Sequence, residues 1–224
     1  MMNETMGPMV LGLPWEVALM FGSGIFYIIC AALIWKPFRE EKNELMGALF
    51  AFLVYQALAM IFMGLGMHTM NMMYDNIGSL AILIGSVYML KFPFSSFSER
   101  TRKVFFMLSV IVVLVLFVWF ITSPAREMQL MNFSIWYDVI INGVVVGCFM
   151  ILVGLRTTQQ WLKIKAVGGG TGVASCCIVA NVATISGAVV LSSVFQFLAP
   201  IIIVGSIVAG RKKQKALAAT GAVA

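Results

Sequence analysis

GVASCCIVANVATISGAVVLSSVFQFLAPIIIVGSIVA, residues 172–209, is one uncharged block, and the basic run GRKKQK, residues 210–215, follows it. As a single helix at ~1.5 Å per residue it would be about 57 Å long, against ~30 Å for the hydrocarbon core of a bilayer. One crossing does not use it up. A division near Leu191–Gln196 gives two tightly joined spans, 172–190 and 194–209.

Charge tests that division. Upstream, apolar stretches fall at about 15–35, 45–66, 77–90, 104–122 and 133–155, the third of them short and expected to extend at both ends. Lys36, Arg39 and Lys42 follow the first; Lys91, Arg100, Arg102 and Lys103 follow the third. Arg156, Lys163 and Lys165 follow the fifth, and Arg211, Lys212, Lys213 and Lys215 follow the last. Of the 15 Lys and Arg residues, only Arg126 lies in an opposite gap. Basic residues mark cytoplasmic loops. Seven spans therefore place the N-terminus outside and the C-terminus in the cytoplasm, whereas six would strand the basic tail outside. The expected fold is an all-α integral membrane protein, a seven-transmembrane-helix bundle forming one domain over 1–215. Residues 216–224 are expected to be a short, disordered cytoplasmic tail.

Composition agrees. Apolar residues make up 61% of the chain and charged residues 11%; soluble domains average ~45–50% and ~25%. The net charge of +6 is carried by residues flanking the spans, which implies anionic lipid on the cytoplasmic face and no nucleic acid. The expected location is the plasma or cytoplasmic membrane. Trp15, Trp35, Tyr74 and Trp136 fall at span ends, where amphipathic rings collect. Pro14, Pro37, Pro93 and Pro124 are expected at or beyond helix ends, and Pro200 inside the last span, where a kink is the default. Gly168–Gly170 reads as a flexible joint. The N-terminus does not read as a signal peptide: it has Glu4 and Glu16, no basic leader, and a first apolar stretch of full length. The loops are short, so a signal is expected to leave through a protein partner or a second copy.

Polar groups in lipid are costly and each needs a reason. Asp138 and Asn142, four apart, share a helix face near the expected outer end of the fifth span. Gln56 with neighbouring Tyr55, and Asn181 with Thr184, could line the same cavity. These six are the candidate ligand-binding residues, facing outward; the alternative is interhelical hydrogen bonding. Gly143 and Gly147 form a GxxxG suited to close packing. Cys30, Cys148, Cys176 and Cys177 show no metal spacing and read as small packing residues. Met67, His68, Met70 and Met72 are soft groups that could hold Cu(I), though methionine is also a common apolar filler. Asn3-Glu4-Thr5 and Asn132-Phe133-Ser134 are sequons in expected outer segments.

Seven-helix families make demands that this chain can be held to. Covalent retinal needs a lysine in the last helix, and 172–210 contains none. Three-histidine zinc hydrolysis fails on the single His68, and haem lacks an intramembrane histidine. Sugar transporters built from two three-helix repeats have relatives that carry a Pro–Gln pair in each repeat, which is missing here. With seven spans, short loops and the Lys91-Phe92-Pro93 exit from the third, the chain resembles the membrane input modules of prokaryotic signalling proteins, without an attached kinase. The resemblance implies a non-enzymatic sensor or receptor with no cofactor. A small-solute or ion transporter or channel subunit, and a structural subunit of a larger membrane complex, are the alternatives.

Overall fold

The computed structural model describes residues 9–41, 43–122 and 124–220. A two-stranded hairpin, β1 (Met9–Val10) and β2 (Leu13–Pro14), precedes the first helix. Its turn residues Leu11 and Gly12 both have positive φ, 53° and 79°, as tight two-residue hairpins require. Helices α1 (Trp15–Glu41), α2 (Glu44–Thr69), α3 (Met72–Met89, continued by a short turn Lys91–Phe94) and α4 (Glu99–Ile121) follow. Helix α5 runs as three consecutive stretches: Pro124–Asp138, a π-helical Val139–Gly147, and Cys148–Arg156. Helix α6 repeats that plan with Gln160–Ala174, a π-helical Ser175–Ala180 and Asn181–Ile185. Helix α7 is Val189–Ala219. Among the described residues, seven helices are long and apolar enough to cross a membrane.

Local chemistry sets the boundaries. Asn43 caps α2 by accepting from Leu45 N at 2.9 Å, and Asn71 caps α3 by accepting from Met73 N at 3.0 Å, each satisfying a first-turn N–H. Helix α5 opens on Pro124, whose missing N–H costs nothing at a first position. Between α6 and α7 the break falls at Ser186–Ala188, a few residues before the expected 191–196. Gly187 has φ +78°; Ala188 N donates to Ala183 O at 2.8 Å and Gly187 N to Thr184 O at 3.1 Å. That pair of bonds around a left-handed glycine is a Schellman stop, and it outweighs the polar Ser-Ser-Gln run as a terminator.

Other expectations need correction. Gly168–Gly170 is no joint: it lies inside α6, which begins at Gln160. A Cβ on Gly168 would meet Ser206 Cβ at 2.4 Å, and one on Gly170 would meet Gly147 O at 2.7 Å. These glycines serve close helix approach. Pro37 falls inside the last turns of α1, not at its end. Helix α3 extends the short third span on both sides, as expected, and its start at Met72 puts Asp75 in the first turn, where the helix dipole favours a carboxylate. The tail is helical through Ala219, and 221–224 lie outside the described residues. Helix α7 continues through Pro200, which removes the helical bond to the Gln196 carbonyl.

Helix α1 packs on α2 and α7, α2 on α3, α3 on α5, α5 on α6, and α6 on α7. These six close a ring. Helix α4 stands outside it against α3 and α5. One end of the bundle gathers most of the basic residues. There Arg211 pairs with Glu40, Lys213 with the Gln160 side chain, and Arg102 with Glu44 at 3.5 Å. The main core contains Tyr27, Leu49, Phe52, Phe92, Val146, Met150, Cys176, Cys177 and Ile203.

Candidate functional site: a carboxylate shared by the helix ring

Asp138 ends the first stretch of α5, about 21 Å along the helix from Pro124 at ~1.5 Å per residue. It is only 2% exposed. The sequence placed it nearer an outer end because the polar segment 124–132 was counted as loop; that segment is the start of α5. Two oxygens accept from three side-chain amides. Asn142 Nδ2 donates to Oδ1 at 2.5 Å and Asn181 Nδ2 to Oδ2 at 2.8 Å. Gln56 Nε2 is 3.4 Å and 3.5 Å from the two oxygens. An ionised carboxylate is acceptor-only with room for this many donors.

The network extends to α3. Asn142 Nδ2 donates a second bond to Ser86 Oγ at 2.9 Å, and Ser86 Oγ donates to Ile82 O at 2.9 Å. A second buried polar cluster centres on Cys176 of α6. Cys176 Sγ is 2.8 Å from Tyr27 Oη, and both reach Gln196 Oε1, at 3.4 Å and 3.2 Å. The Asp138 network thus draws Gln56 from α2, Ser86 from α3, Asp138 and Asn142 from α5 and Asn181 from α6, and the Cys176 cluster ties α6 to Tyr27 of α1 and Gln196 of α7.

The two π-helical stretches face each other at this point. Asp138 immediately precedes one and Asn181 immediately follows the other. A π-turn widens the helix and re-aims side chains, and such turns recur at functional sites. The expected GxxxG packs the same seam. A Cβ at Gly143 would meet Ile178 Cγ1 at 2.4 Å, and one at Gly147 would meet Ala174 Cβ at 3.1 Å. Asn142 Oδ1 and Ser79 Oγ are buried with no hydrogen-bond partner among the described residues. Buried polar atoms are seldom left so.

Of the six candidates, Asp138, Asn142, Gln56 and Asn181 converge. Tyr55 does not; it stacks on Tyr88 at 5.8 Å between ring centroids. Thr184 instead joins α6 to α7 through Ser192 Oγ at 2.7 Å. The expected outward opening is not present in this arrangement, because the converging residues are enclosed: Asn142 is 0% and Gln56 3% exposed. Met67, Met70 and Met72 are exposed at the α2–α3 turn. Met70 there takes a left-handed conformation, φ 52°. The sequon at Asn132 lies exposed on α5; the one at Asn3 is outside the described residues. The residues missed were Tyr27, Ser86, Cys176 and Gln196. Gln196, a lone amide in an apolar block, carried the same cost signal as Gln56. Tyr27 and Cys176 resemble ordinary core.

No protein-family model, curated protein or solved structure matches the chain.

Proposed function

We propose that the protein is a non-enzymatic, sensor- or receptor-like seven-helix membrane protein, N-terminus outside and C-terminus cytoplasmic, signalling through a partner at its basic end. The observation that carries this reading is the buried network joining four ring helices, α2, α3, α5 and α6, through Asp138. Any event that changes the charge or the donors of that carboxylate acts on four helices at once. The π-helical stretches beside it supply segments that can change register, because a π-turn and an α-turn differ by one residue per turn closed. The orientation rests on the alternation of basic residues.

Asp138→Asn tests it, since that change keeps shape and removes charge. Spin labels at Arg39 and Arg156, exposed at the basic ends of α1 and α5, are read in nanodiscs. The variant is expected to fold and to shift the label-to-label distance distribution. An unchanged distribution would mean that the network only holds the ring together. Orientation is tested separately with cysteines at Met70 and Ser96: an impermeant maleimide added outside intact cells should modify the first and spare the second.

The second reading is a small-ion transporter or channel subunit. It is favoured by the position of Asp138 deep in α5, bonded only to neutral groups, since intramembrane carboxylates mark ion and proton paths. Proteoliposomes given a pH step separate the two readings: a current lost in Asp138→Asn supports transport, and silence with a distance shift supports sensing.

A further inference from the structure

We propose that the centre around Asp138 is a binding site for a small monovalent cation, Na+, held by the carboxylate and the amide oxygens about it. This rests on the reading of Asp138 as the centre on which the protein's function turns, and it names the ligand of that centre. Asp138 is enclosed, and its hydrogen-bond partners are the neutral amides of Gln56, Asn142 and Asn181. Neutral donors spread a negative charge and do not cancel it. No Lys, Arg or His pairs with the carboxylate among the described residues. A buried charge left uncompensated is costly, and a carboxylate inside a span marks an ion site by default.

The oxygens that a cation needs are already gathered. Each amide gives its nitrogen to Asp138, and none of the three amide oxygens accepts a hydrogen bond among the described residues. Asn142 Oδ1 is the clearest case, buried with no partner at all. It belongs to the amide whose nitrogen lies 2.5 Å from Asp138 Oδ1, so one ion can touch both oxygens. An amide carries a donor end and an acceptor end. The Gln56 bonds, at 3.4 Å and 3.5 Å, are long enough to give way, and a half-turn of that amide aims its oxygen at an ion on the carboxylate. Ser86 Oγ, 2.9 Å from Asn142 Nδ2, is a further oxygen. These are hard donors, which suit hard cations over soft metals. A single carboxylate balances a single positive charge, whereas Ca2+ sites gather more carboxylate than this. Asp138 and Asn181 each border a π-helical stretch, and helices interrupted in mid-span recur at intramembrane Na+ sites. Ser79 stands seven residues before Ser86 on the same face of α3, and its buried hydroxyl also has no partner. Polar ground therefore continues from the carboxylate toward the end of the bundle away from the basic residues.

Radiolabelled Na+ tests this directly, by scintillation proximity on the full chain in neutral nanodiscs, in choline buffer at one fixed pH. Binding should saturate at one ion per chain, reverse with unlabelled NaCl and ignore added choline chloride. Asp138→Asn should lose saturable binding. Asn181→Ala keeps the carboxylate and should weaken binding about tenfold, the scale of one lost contact to a charged group; it serves as the test if the first variant misfolds. Asp75→Asn removes a half-buried carboxylate outside the site, in the first turn of α3, and should leave the amount bound unchanged. Spin labels at Arg39 and Arg156 separate this inference from the sensor reading. Saturable binding with no Na+-dependent change in label distance supports the ion site and counts against sensing. No saturable binding, in a protein whose label distances do shift on Asp138→Asn, overturns the ion site and leaves the sensor reading standing. Binding that choline displaces, or that a folded Asp138 or Asn181 variant retains at full affinity, is an adventitious ion only and overturns the proposal.

Discussion

Helices α3 and α4 are neighbours of similar length, yet they are built on opposite plans. The most apolar window of α4 has mean hydropathy 3.2 and is 11% buried; that of α3 has 1.6 and is 61% buried. On α4 only Val113 and Phe120 are buried. Helix α3 buries Gly78, Ser79, Gly85 and Ser86 among its core residues. Gly78 lets α2 approach so closely that a Cβ would lie 3.2 Å from Ala59 O, and Ser86 receives Asn142. Lipid tails are as apolar as leucine, so apolarity does not draw a helix inward; small side chains and hydrogen bonds do. In this protein hydropathy reports which helix faces lipid, and small polar residues report which helix builds the core.

The comparison breaks first where backbones nearly touch. A Cβ on Gly172 of α6 would sit 2.6 Å from Ile203 Cγ1 and 2.9 Å from Ala199 O of α7. The carbonyl cannot step aside without moving α7. Gly172→Val is expected to cost about 3 kcal/mol, at the upper end for overpacking, while Val115→Leu on the exposed face of α4 should be near neutral. Unfolding in mixed micelles with rising dodecyl sulfate measures both. If α6 tolerates valine, the ring is looser than its glycines imply.

Next is the network. Asn142→Leu strips a donor from both Asp138 and Ser86 and leaves them buried without it, for a cost of roughly 1–3 kcal/mol. Ser109→Leu on α4 removes a hydroxyl bonded only to its own helix, to Phe105 O at 2.8 Å, and should cost nothing measurable. An Asn142→Leu protein as stable as the parent would show that the network does not hold the ring.

Much of this plan was legible in the sequence. The seven helices show because each is a long apolar run, and the alternation of basic residues is what the proposed orientation rests on. Asp138, Asn142, Gln56 and Asn181 show because an amide or carboxylate inside a span is costly enough to need a partner. Their partners were less legible. Tyr27, Ser86 and Cys176 cost little in lipid, so nothing in composition separates a bonded one from a packed one. Gly168–Gly170 misled for a related reason: glycine reads as flexibility in water and as a contact in a helix bundle. The position of Asp138 along α5 is harder to read, because α5 begins at Pro124, in a polar stretch that hydropathy counts as loop.

Cavity formation should give a smaller contrast. Leu83 on α3 is 0% exposed, and Val115 on α4 is 62% exposed. In water, Leu→Ala in a core loses both transfer energy and packing, ~2–5 kcal/mol. Here the unfolded reference also lies in lipid, so the transfer part largely cancels and only the cavity part remains. Leu83→Ala should cost about 1–2 kcal/mol, and Val115→Ala under about 0.5 kcal/mol. Equal losses would show that α4 faces another protein surface and not lipid.

The smallest effect concerns what ties α4 to the ring at the basic end. Arg102 Nη2 reaches Glu44 Oε2 at 3.5 Å, with the two side chains 27% and 59% exposed. A pair this open to solvent contributes ~0–1 kcal/mol and is screened by salt. Arg102→Gln should therefore lower stability by less than about 0.5 kcal/mol at low salt and by nothing measurable at high salt. Orientation should not change, since Arg100 and Lys103 still mark that end of α4. The cluster of Val113 and Phe120 with Leu83, Val87 and Leu130 is what seats α4 against α3 and α5. A loss above about 1 kcal/mol that persisted in high salt would assign that role to the ion pair, and α4 would then count as a seventh member of the ring instead of a helix resting on its outside.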